Sequence, residues 1–146
     1  MQLRFDSRRS GTDLVTLPGA VIRDMIAHAA AEAPRECCGL LIGQGRRVDE
    51  SVRTTNLEAG TTRYLVDPAE HVAVLKRLRG GVRDVIGAYH SHPRSPAWPS
   101  PSDLADAFSA HFVYVIVSLA DPASPAVRAF QIDGIVVTEV RIAGSA

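Results

Sequence analysis

Cysteine is scarce in this sequence: among its 146 residues only Cys37 and Cys38 are cysteines, and they are adjacent. Adjacent cysteines rarely form a disulfide without strain, and no Cys-x-x-Cys pair is present to hold a metal. The scarcity argues against a zinc knuckle built on cysteine. It predicts two reduced thiols that serve packing rather than chemistry, in a cytoplasmic protein.

Long apolar runs and an excess of charge of one sign are also missing. No segment approaches the length of a membrane span, and residues 1–9 contain no apolar stretch of the kind found in signal peptides. Sixteen basic residues balance sixteen acidic ones, so no overall positive field attracts nucleic acid or anionic lipid. The sequence therefore predicts neither a nucleic-acid partner nor a membrane partner.

Apolar residues are abundant, at 46% of a chain that has the length of one domain. No repeat or interdomain linker interrupts it, so we predict a single domain over residues 1–146. Residues 1–12 are polar and are interpreted as a flexible arm or a short edge strand. The predicted order is strand, helix, three strands, helix, strand, helix and three strands. This order indicates a mixed β-sheet flanked by about three helices, in an α/β or α+β arrangement.

Periodicity and turn signals give the positions of these elements. Apolar residues at helical spacing predict a helix over 20–32, which Pro34 stops. Asp67, Pro68 and Glu70 predict the start of a second helix with a capping box. The side chains expected to face inward from it are Val72, Leu75 and Leu78. The remaining predictions are a third helix over 101–110 and strands over 14–17, 37–43, 48–56, 64–66, 84–92, 112–119, 127–132 and 135–140.

Two histidines one residue apart lie at the end of the predicted strand 84–92. Because alternate side chains of a strand share a face, His90 and His92 should project the same way, with Cα atoms about 7 Å apart. Asp103 follows a short proline-rich loop, where the third helix begins. A catalytic zinc site commonly has three protein ligands and a water. Two imidazoles and a carboxylate therefore make a candidate zinc site.

The same residues also have structural explanations. A His-x-His pair alone is more often two ordinary strand histidines than a metal site. Ser100, Pro101 and Asp103 make a good helix N-terminus. The two interpretations of Asp103 are compatible, because a helix start is a rigid mount for a ligand. The remaining histidines are expected to be surface or capping residues: His28, His71 and His111.

A zinc-bound water also needs a carboxylate outside the ligand set to take its proton. The candidates in the sequence are Glu32, Glu36, Glu50, Glu58 and Glu70. The residues alone do not choose among them. Glu36 has the best position, since it opens the apolar strand 37–43, which we expect beside the histidine strand.

Three segments together resemble the JAMM (MPN+) metallopeptidase family. They are residues 34–43, His90-Ser91-His92-Pro93 and Ser100-Pro101-Ser102-Asp103, with the family's ten residues between His92 and Asp103. The resemblance covers roughly residues 18–120 and implies the family's cytidine-deaminase-like α/β fold. It implies His90, His92 and Asp103 as zinc ligands and Glu36 as general acid/base. It also implies Ser100 as the hydrogen-bond donor to the oxyanion of the tetrahedral intermediate.

The resemblance implies a zinc-dependent peptidase or isopeptidase acting on an amide bond at the C-terminal tail of a ubiquitin-like protein. The short form looks most like bacterial members, some of which remove a group such as cysteine from a sulfur-carrier protein. The tail is expected to add as a strand beside the histidine strand. An alternative is a non-catalytic MPN-type interaction scaffold, although such proteins typically lack the ligands. A zinc deaminase is disfavoured, since His-x-Glu and Pro-Cys-x-x-Cys are absent.

Trp98 lies in the proline-rich loop between His92 and Asp103. It has two interpretations of equal weight: an anchor that packs the loop on the body, or a wall of the groove for the carrier's tail. The second predicts that Trp98→Ala raises KM and leaves the zinc content unchanged. The sequence does not identify the carrier or the leaving group. It also leaves the oligomeric state open, with a homo-oligomer as one option.

Overall fold

The computed structural model describes residues 4–5, 14–58 and 61–144. These residues form three helices: α1 (Gly19–Glu32), α2 (Pro68–Leu78) and α3 (Pro101–Ala105). The strands are β1 (Arg4–Phe5), β2 (Leu14–Thr16), β3 (Cys38–Gln44), β4 (Arg47–Thr54), β5 (Asp84–His92), β6 (Val113–Ser118), β7 (Ala126–Asp133) and β8 (Val136–Ala143). The arm predicted over 1–12 lies outside the described residues except for β1. In the described part of the chain, none of the helices has the length and apolar content needed to cross a membrane.

The strands form one mixed sheet of eight strands in the order β1-β8-β2-β4-β3-β5-β6-β7. β8 also pairs with β7, so the order closes on itself. β3 runs antiparallel to both β4 and β5, and β5 runs parallel to β6. The prediction of an α/β fold with a mixed sheet and three helices is therefore confirmed.

The central strand β3 is a continuous apolar run because both of its faces are covered. On one face Leu41 packs with Met25 of α1 in the largest group of buried residues. On the other face Leu40 packs with Val74 and Leu78 of α2. Alternate residues of β3 thus belong to two separate cores, and the strand lies between these cores.

The predicted inward face of α2 is right for Leu78 and wrong for Val72 and Leu75. Val74 and Leu78 are buried, whereas Val72 and Leu75 are 48% and 45% exposed. The helix contacts the sheet through a single ridge with i, i+4 spacing. The predicted set has i, i+3 spacing and rotates away from that ridge.

The start of α2 is only partly as predicted. Asp67 caps it by accepting a hydrogen bond from the Ala69 backbone N–H at 2.8 Å, and Pro68 is the first helical residue. Glu70 does not complete a capping box. Its carboxylate instead accepts from the backbone N–H and the hydroxyl of Thr55, at 2.6 and 2.8 Å. Glu70 therefore ties α2 to the end of β4.

The predicted strand 64–66 is reduced to one bridge between Asn56 and Val66. The side chain of Asn56 replaces the rest of the ladder. Its Oδ1 accepts from the backbone N–H groups of Glu58 and Leu65, both at 2.9 Å. Its Nδ2 donates to the carbonyl oxygens of Glu36 and Arg63. One amide side chain thus satisfies backbone groups that a strand would have paired.

Two further predictions need correction. Helix α3 ends at Ala105 rather than at residue 110, and the Tyr114 hydroxyl accepts from the next backbone N–H groups, those of Phe108 and Ser109. His28 is not at the surface: it is 5% exposed, and its Nδ1 lies 2.7 Å from the Tyr89 hydroxyl. It occupies the inward face of α1, where a hydrogen bond allows a polar ring to be buried.

Other local predictions agree with the structure. Asp133 and Gly134 form the turn between β7 and β8, and Gly134 adopts the left-handed φ of 61° that such a turn favours. Cys37 and Cys38 are unpaired and buried, and burial raises the pKa of both thiols to about 11. They are therefore protonated and pack as small apolar side chains.

Candidate metal centre and active site

The C-terminal end of β5 and the start of α3 bring two histidines and one carboxylate together. The Nε2 atoms of His90 and His92 and Oδ2 of Asp103 form a triangle whose three sides are each 3.1 Å. Ligand atoms about 2.0–2.1 Å from a tetrahedral zinc lie about 3.3 Å from one another. All three side chains are buried. The triangle thus has the size and the donor set that a zinc ion requires.

Asp103 is held in this position by the way α3 begins. The Ser100 backbone N–H donates to Asp103 Oδ2 at 2.9 Å, and the Asp103 backbone N–H donates to Ser100 Oγ at 3.1 Å. This capping box, with Pro101 as the first helical residue, is the local structure that the sequence pattern predicts. A structural motif and a candidate ligand therefore coincide in one residue.

The two histidines are oriented in different ways. His92 Nδ1 lies 2.8 Å from the carbonyl oxygen of Pro96, which can only accept, so this nitrogen carries the proton and Nε2 keeps its lone pair. His90 Nδ1 is buried without a hydrogen-bond partner among the described residues. The ring of Tyr64 stacks on the His90 ring at 4.3 Å between centroids. Stacking therefore orients His90, and a carbonyl orients His92.

The electrostatics of the triangle favour a positive charge. Burial opposes ionisation of Asp103, but the close approach of ring nitrogens of both histidines to its Oδ2 holds the pKa of its carboxyl well below the usual range. Burial lowers the pKa of His90 and so favours the neutral ring that a metal ligand needs. Burial also acts to lower the pKa of His92, yet Asp103 and Pro96 raise it overall. An ionised carboxylate in this buried site attracts a cation, and a metal ion would supply one.

Glu36 is the fourth residue at this centre. Its ligand oxygen and those of the triangle all lie within 4.8 Å of one another, and Oε1 is 4.0 Å from His90 Nε2. The side chain is 3% exposed, and Oε1 has no hydrogen-bond partner among the described residues. Burial raises the pKa of Glu36 to about 7, partly offset by His92. Such a carboxyl can both accept and release a proton near neutral pH.

The structure does not bring the other candidate glutamates to this centre. Glu50 pairs with Arg77 and Arg83, at 3.0 and 2.7 Å, and Glu70 binds Thr55. Glu32 and Glu58 are outside the group of residues that could share a metal ion. Geometry thus selects Glu36, which the residues alone could not do.

A cleft of about 390 Å³ opens beside the centre. Its lining residues are Pro34, Glu36, Thr61, Thr62, His92, Pro93, Arg94, Ser95 and Ser100. The Ser100 hydroxyl accepts from Asp103, so its own proton remains for Ser102 Oγ, 3.1 Å away, or for a bound molecule. The hydroxyl is therefore placed to donate a hydrogen bond into the cleft.

Trp98 is not part of this lining. Its ring meets Phe130 edge to face at 5.2 Å between centroids, and the Arg128 guanidinium lies 5.3 Å from the ring centroid. These contacts favour the anchor interpretation over the groove wall. The expectation that a tail adds as a strand beside β5 is wrong, because β3 and β6 already occupy both edges of that strand.

Comparisons with known proteins agree with this geometry. Residues 18–133 match the family of prokaryotic homologs of the JAB domain. The CysO-cysteine peptidase of Mycobacterium tuberculosis is 33% identical over 135 residues, which cover 90% of this chain and 92% of the relative. A probable TtuB-protein conjugate cleaving protease of Thermus thermophilus is 36% identical over 92 residues, 62% of each chain.

A solved structure supports the same assignment. The solution structure of a protein from Desulfitobacterium hafniense superposes with a TM-score of 0.82 at 34% sequence identity, and the match covers 90% of this chain and 92% of that one. The sequence match and the structural match thus span the same fold and the candidate centre. The chain belongs to the prokaryotic branch of the JAB (JAMM/MPN) family and is a JAMM-type hydrolase.

Proposed function

We propose that the chain is a zinc-dependent peptidase that hydrolyses the amide bond at the C-terminal tail of a ubiquitin-like protein, specifically a sulfur carrier. The observation that carries the proposal is the buried triangle of His90, His92 and Asp103 with the carboxyl of Glu36 beside it. Three neutral or anionic donors 3.1 Å apart suit a zinc ion, and a buried carboxyl with an unpaired oxygen suits proton transfer.

The residues divide the chemistry among them. A bound zinc would lower the pKa of a water molecule and polarise the scissile carbonyl. Glu36 accepts the proton of the attacking water at its carboxylate and passes it to the leaving nitrogen, so that the amine departs neutral. Ser100 Oγ donates a hydrogen bond to the carbonyl oxygen as negative charge develops there. His90, His92 and Asp103 hold the ion, and Pro96 and Tyr64 keep the two rings oriented.

The relatives support the proposed substrate class. One is named for cleaving CysO-cysteine and another for cleaving TtuB conjugates, and the first is matched over nearly its full length. We therefore expect a carrier protein with a C-terminal adduct rather than a polyubiquitin chain. Two unpaired cysteines suit a reducing compartment, so we place the reaction in the cytoplasm.

The test compares cleavage with metal content. The purified chain should contain zinc and should release cysteine from CysO carrying a C-terminal cysteine, and a chelator should abolish the release. Glu36→Gln should keep the zinc and lower kcat by about 10²- to 10⁴-fold. The matched control is Glu32→Gln, at the exposed end of α1, which should leave the zinc content and kcat unchanged.

Three results would contradict the proposal. Full activity of Glu36→Gln would remove its role, and an unchanged zinc content in His92→Ala would misplace the metal. If the chain binds the carrier but never cleaves it at any zinc concentration, the non-catalytic scaffold becomes the better description.

A further inference from the structure

Arg94 introduces a guanidinium into the cleft beside Glu36. It is exposed, and it is the only arginine or lysine among the described residues that line this cleft. No carboxylate among the described residues pairs with it, whereas three other exposed arginines, Arg53, Arg77 and Arg83, have such partners. A cation left unpaired next to a reactive centre is available to a bound molecule.

The backbone around Arg94 is fixed, although its side chain is exposed. The preceding His92 ring binds the carbonyl oxygen of Pro96 at 2.8 Å, and the Ser118 hydroxyl donates to the carbonyl oxygen of Ser95 at 2.6 Å. Arg94 follows His92 by two residues, so their Cα atoms are at most about 7 Å apart. A long side chain on a fixed loop therefore starts within reach of the bond that is cleaved.

Charge indicates what this arginine binds. Arg94 is the one arginine or lysine that the described residues contribute to the cleft lining, so it favours an anionic group on a bound molecule. A guanidinium holds a carboxylate through two parallel hydrogen bonds. In a carrier adduct that ends in one amino acid, the free α-carboxylate is two bonds from the scissile nitrogen. The leaving lysine of an isopeptide has no carboxylate there.

We propose that Arg94 binds the free α-carboxylate of a single amino-acid leaving group, so that the enzyme selects carriers ending in one added amino acid over isopeptide-linked proteins. The inference rests on the proposed function and adds the chemical class of the leaving group. The cleft volume of about 390 Å³ is near the lower end of the range for small-molecule sites, which suits one residue better than a folded protein.

The experiment uses two substrates that differ only in charge: CysO ending in cysteine and CysO ending in cysteinamide. The zinc-loaded wild-type chain should cleave the acid with a kcat/KM roughly ten- to hundredfold above that for the amide, since one charged hydrogen-bonded contact is lost. Arg94→Gln should lose this preference by slowing cleavage of the acid alone. Arg94→Lys keeps the positive charge but cannot form the two parallel hydrogen bonds of a guanidinium. It should therefore retain part of the preference for the acid.

The matched control is Arg79→Gln, an exposed arginine at the end of α2 that lines neither this cleft nor a neighbouring cavity. It removes the same net charge and should keep the full preference. Equal wild-type cleavage of acid and amide overturns the assignment of Arg94 and leaves the proposed function standing. Equal slowing of both substrates by Arg94→Gln also overturns the assignment. If neither substrate is cleaved, the sulfur-carrier function fails, and the inference fails with it.

Discussion

Replacing Ser100 by alanine tests two roles that one hydroxyl combines. Its Oγ accepts the Asp103 backbone N–H at 3.1 Å and so caps α3, while its proton can be donated into the cleft. The substitution removes both functions. It keeps the other half of the capping box, because the Ser100 backbone N–H still donates to Asp103 Oδ2.

The substitution has three effects of different magnitude. Loss of a serine cap costs about 1 kcal/mol of stability. Weaker support of Asp103 would lower the affinity for zinc by roughly tenfold, the lower end for a group that orients a ligand. Loss of an oxyanion donor lowers kcat by about 10²- to 10³-fold, which corresponds to about 2.7–4 kcal/mol in the transition state. Excess zinc reverses the second effect but cannot reverse the third.

The assay measures kcat for cysteine release from CysO-cysteine over a zinc titration. At saturating zinc, the kcat of Ser100→Ala should level off about a hundredfold or more below that of wild type. The zinc concentration that gives half of this maximal kcat should be higher than for wild type. Ser102→Ala is the matched control, because its Oγ contacts Ser100 Oγ at 3.1 Å and does not line the cleft. A Ser100→Ala plateau within about threefold of wild type would show that the residue is a cap alone.

Further predictions concern the supports of the site. Trp98→Ala should lower the free energy of unfolding by about 2 kcal/mol or more through lost packing on Phe130, with KM for the carrier nearly unchanged; a raised KM with intact stability would restore the groove-wall interpretation. Gly39→Ala should leave little soluble protein or a Tm lowered by many degrees, because its Cβ would overlap the Tyr89 ring; near-normal thermal denaturation would contradict this. Burial lowers the pKa of His28 below 6.5, so protonation favours the unfolded chain, and stability present above pH 6.5 is lost as the pH falls. Denaturant titrations of the zinc-loaded proteins should therefore show that the free energy of unfolding falls more steeply from pH 7 to 5 for wild type than for His28→Gln.

The residues predicted from the sequence are those whose geometry is set locally. His90 and His92 share a face because β5 is regular from Gly87 to its last residue, where the period of two applies. Asp103 is placed by the capping box, whose signals lie within four residues. The turn at Gly134 needs only the adjacent Asp133. In each case the physical cause lies within one turn or one strand, so the pattern of a few residues is sufficient.

The residues that were missed act over long distances in the chain. Tyr64 orients His90 from 26 positions away, and no motif marks it. His28 was expected at the surface, although its partner Tyr89 lies 61 positions further along. Asn56 replaces a predicted strand by bonding four backbone groups with one side chain. Such contacts depend on which elements are adjacent in the sheet, and the sequence pattern of each element alone does not contain that information.

The register between β3 and β5 explains why Glu36 reaches the metal centre. Cys38 lies opposite His90 in an antiparallel pair, so the residue two places before Cys38 is aligned with the residue two places after His90. Glu36 therefore extends on the same face and at the same level as His92. The Ser91 hydroxyl accepts the Cys37 backbone N–H at 2.8 Å and extends this alignment to the residue before β3 begins.

The same register is enforced from the opposite face of the sheet. Gly39 lies across from Tyr89, and only a residue without a side chain leaves room there for the ring, whose hydroxyl binds His28 in the core. A slip of one residue would put a bulkier side chain against Tyr89, and it would turn Glu36 to the face away from His92. A buried contact on the opposite face of the sheet thus determines which carboxylate lies beside the candidate metal centre. Because that contact is steric, we expect substitutions at Gly39 to lower the activity of whatever protein still folds, without changing any candidate zinc ligand.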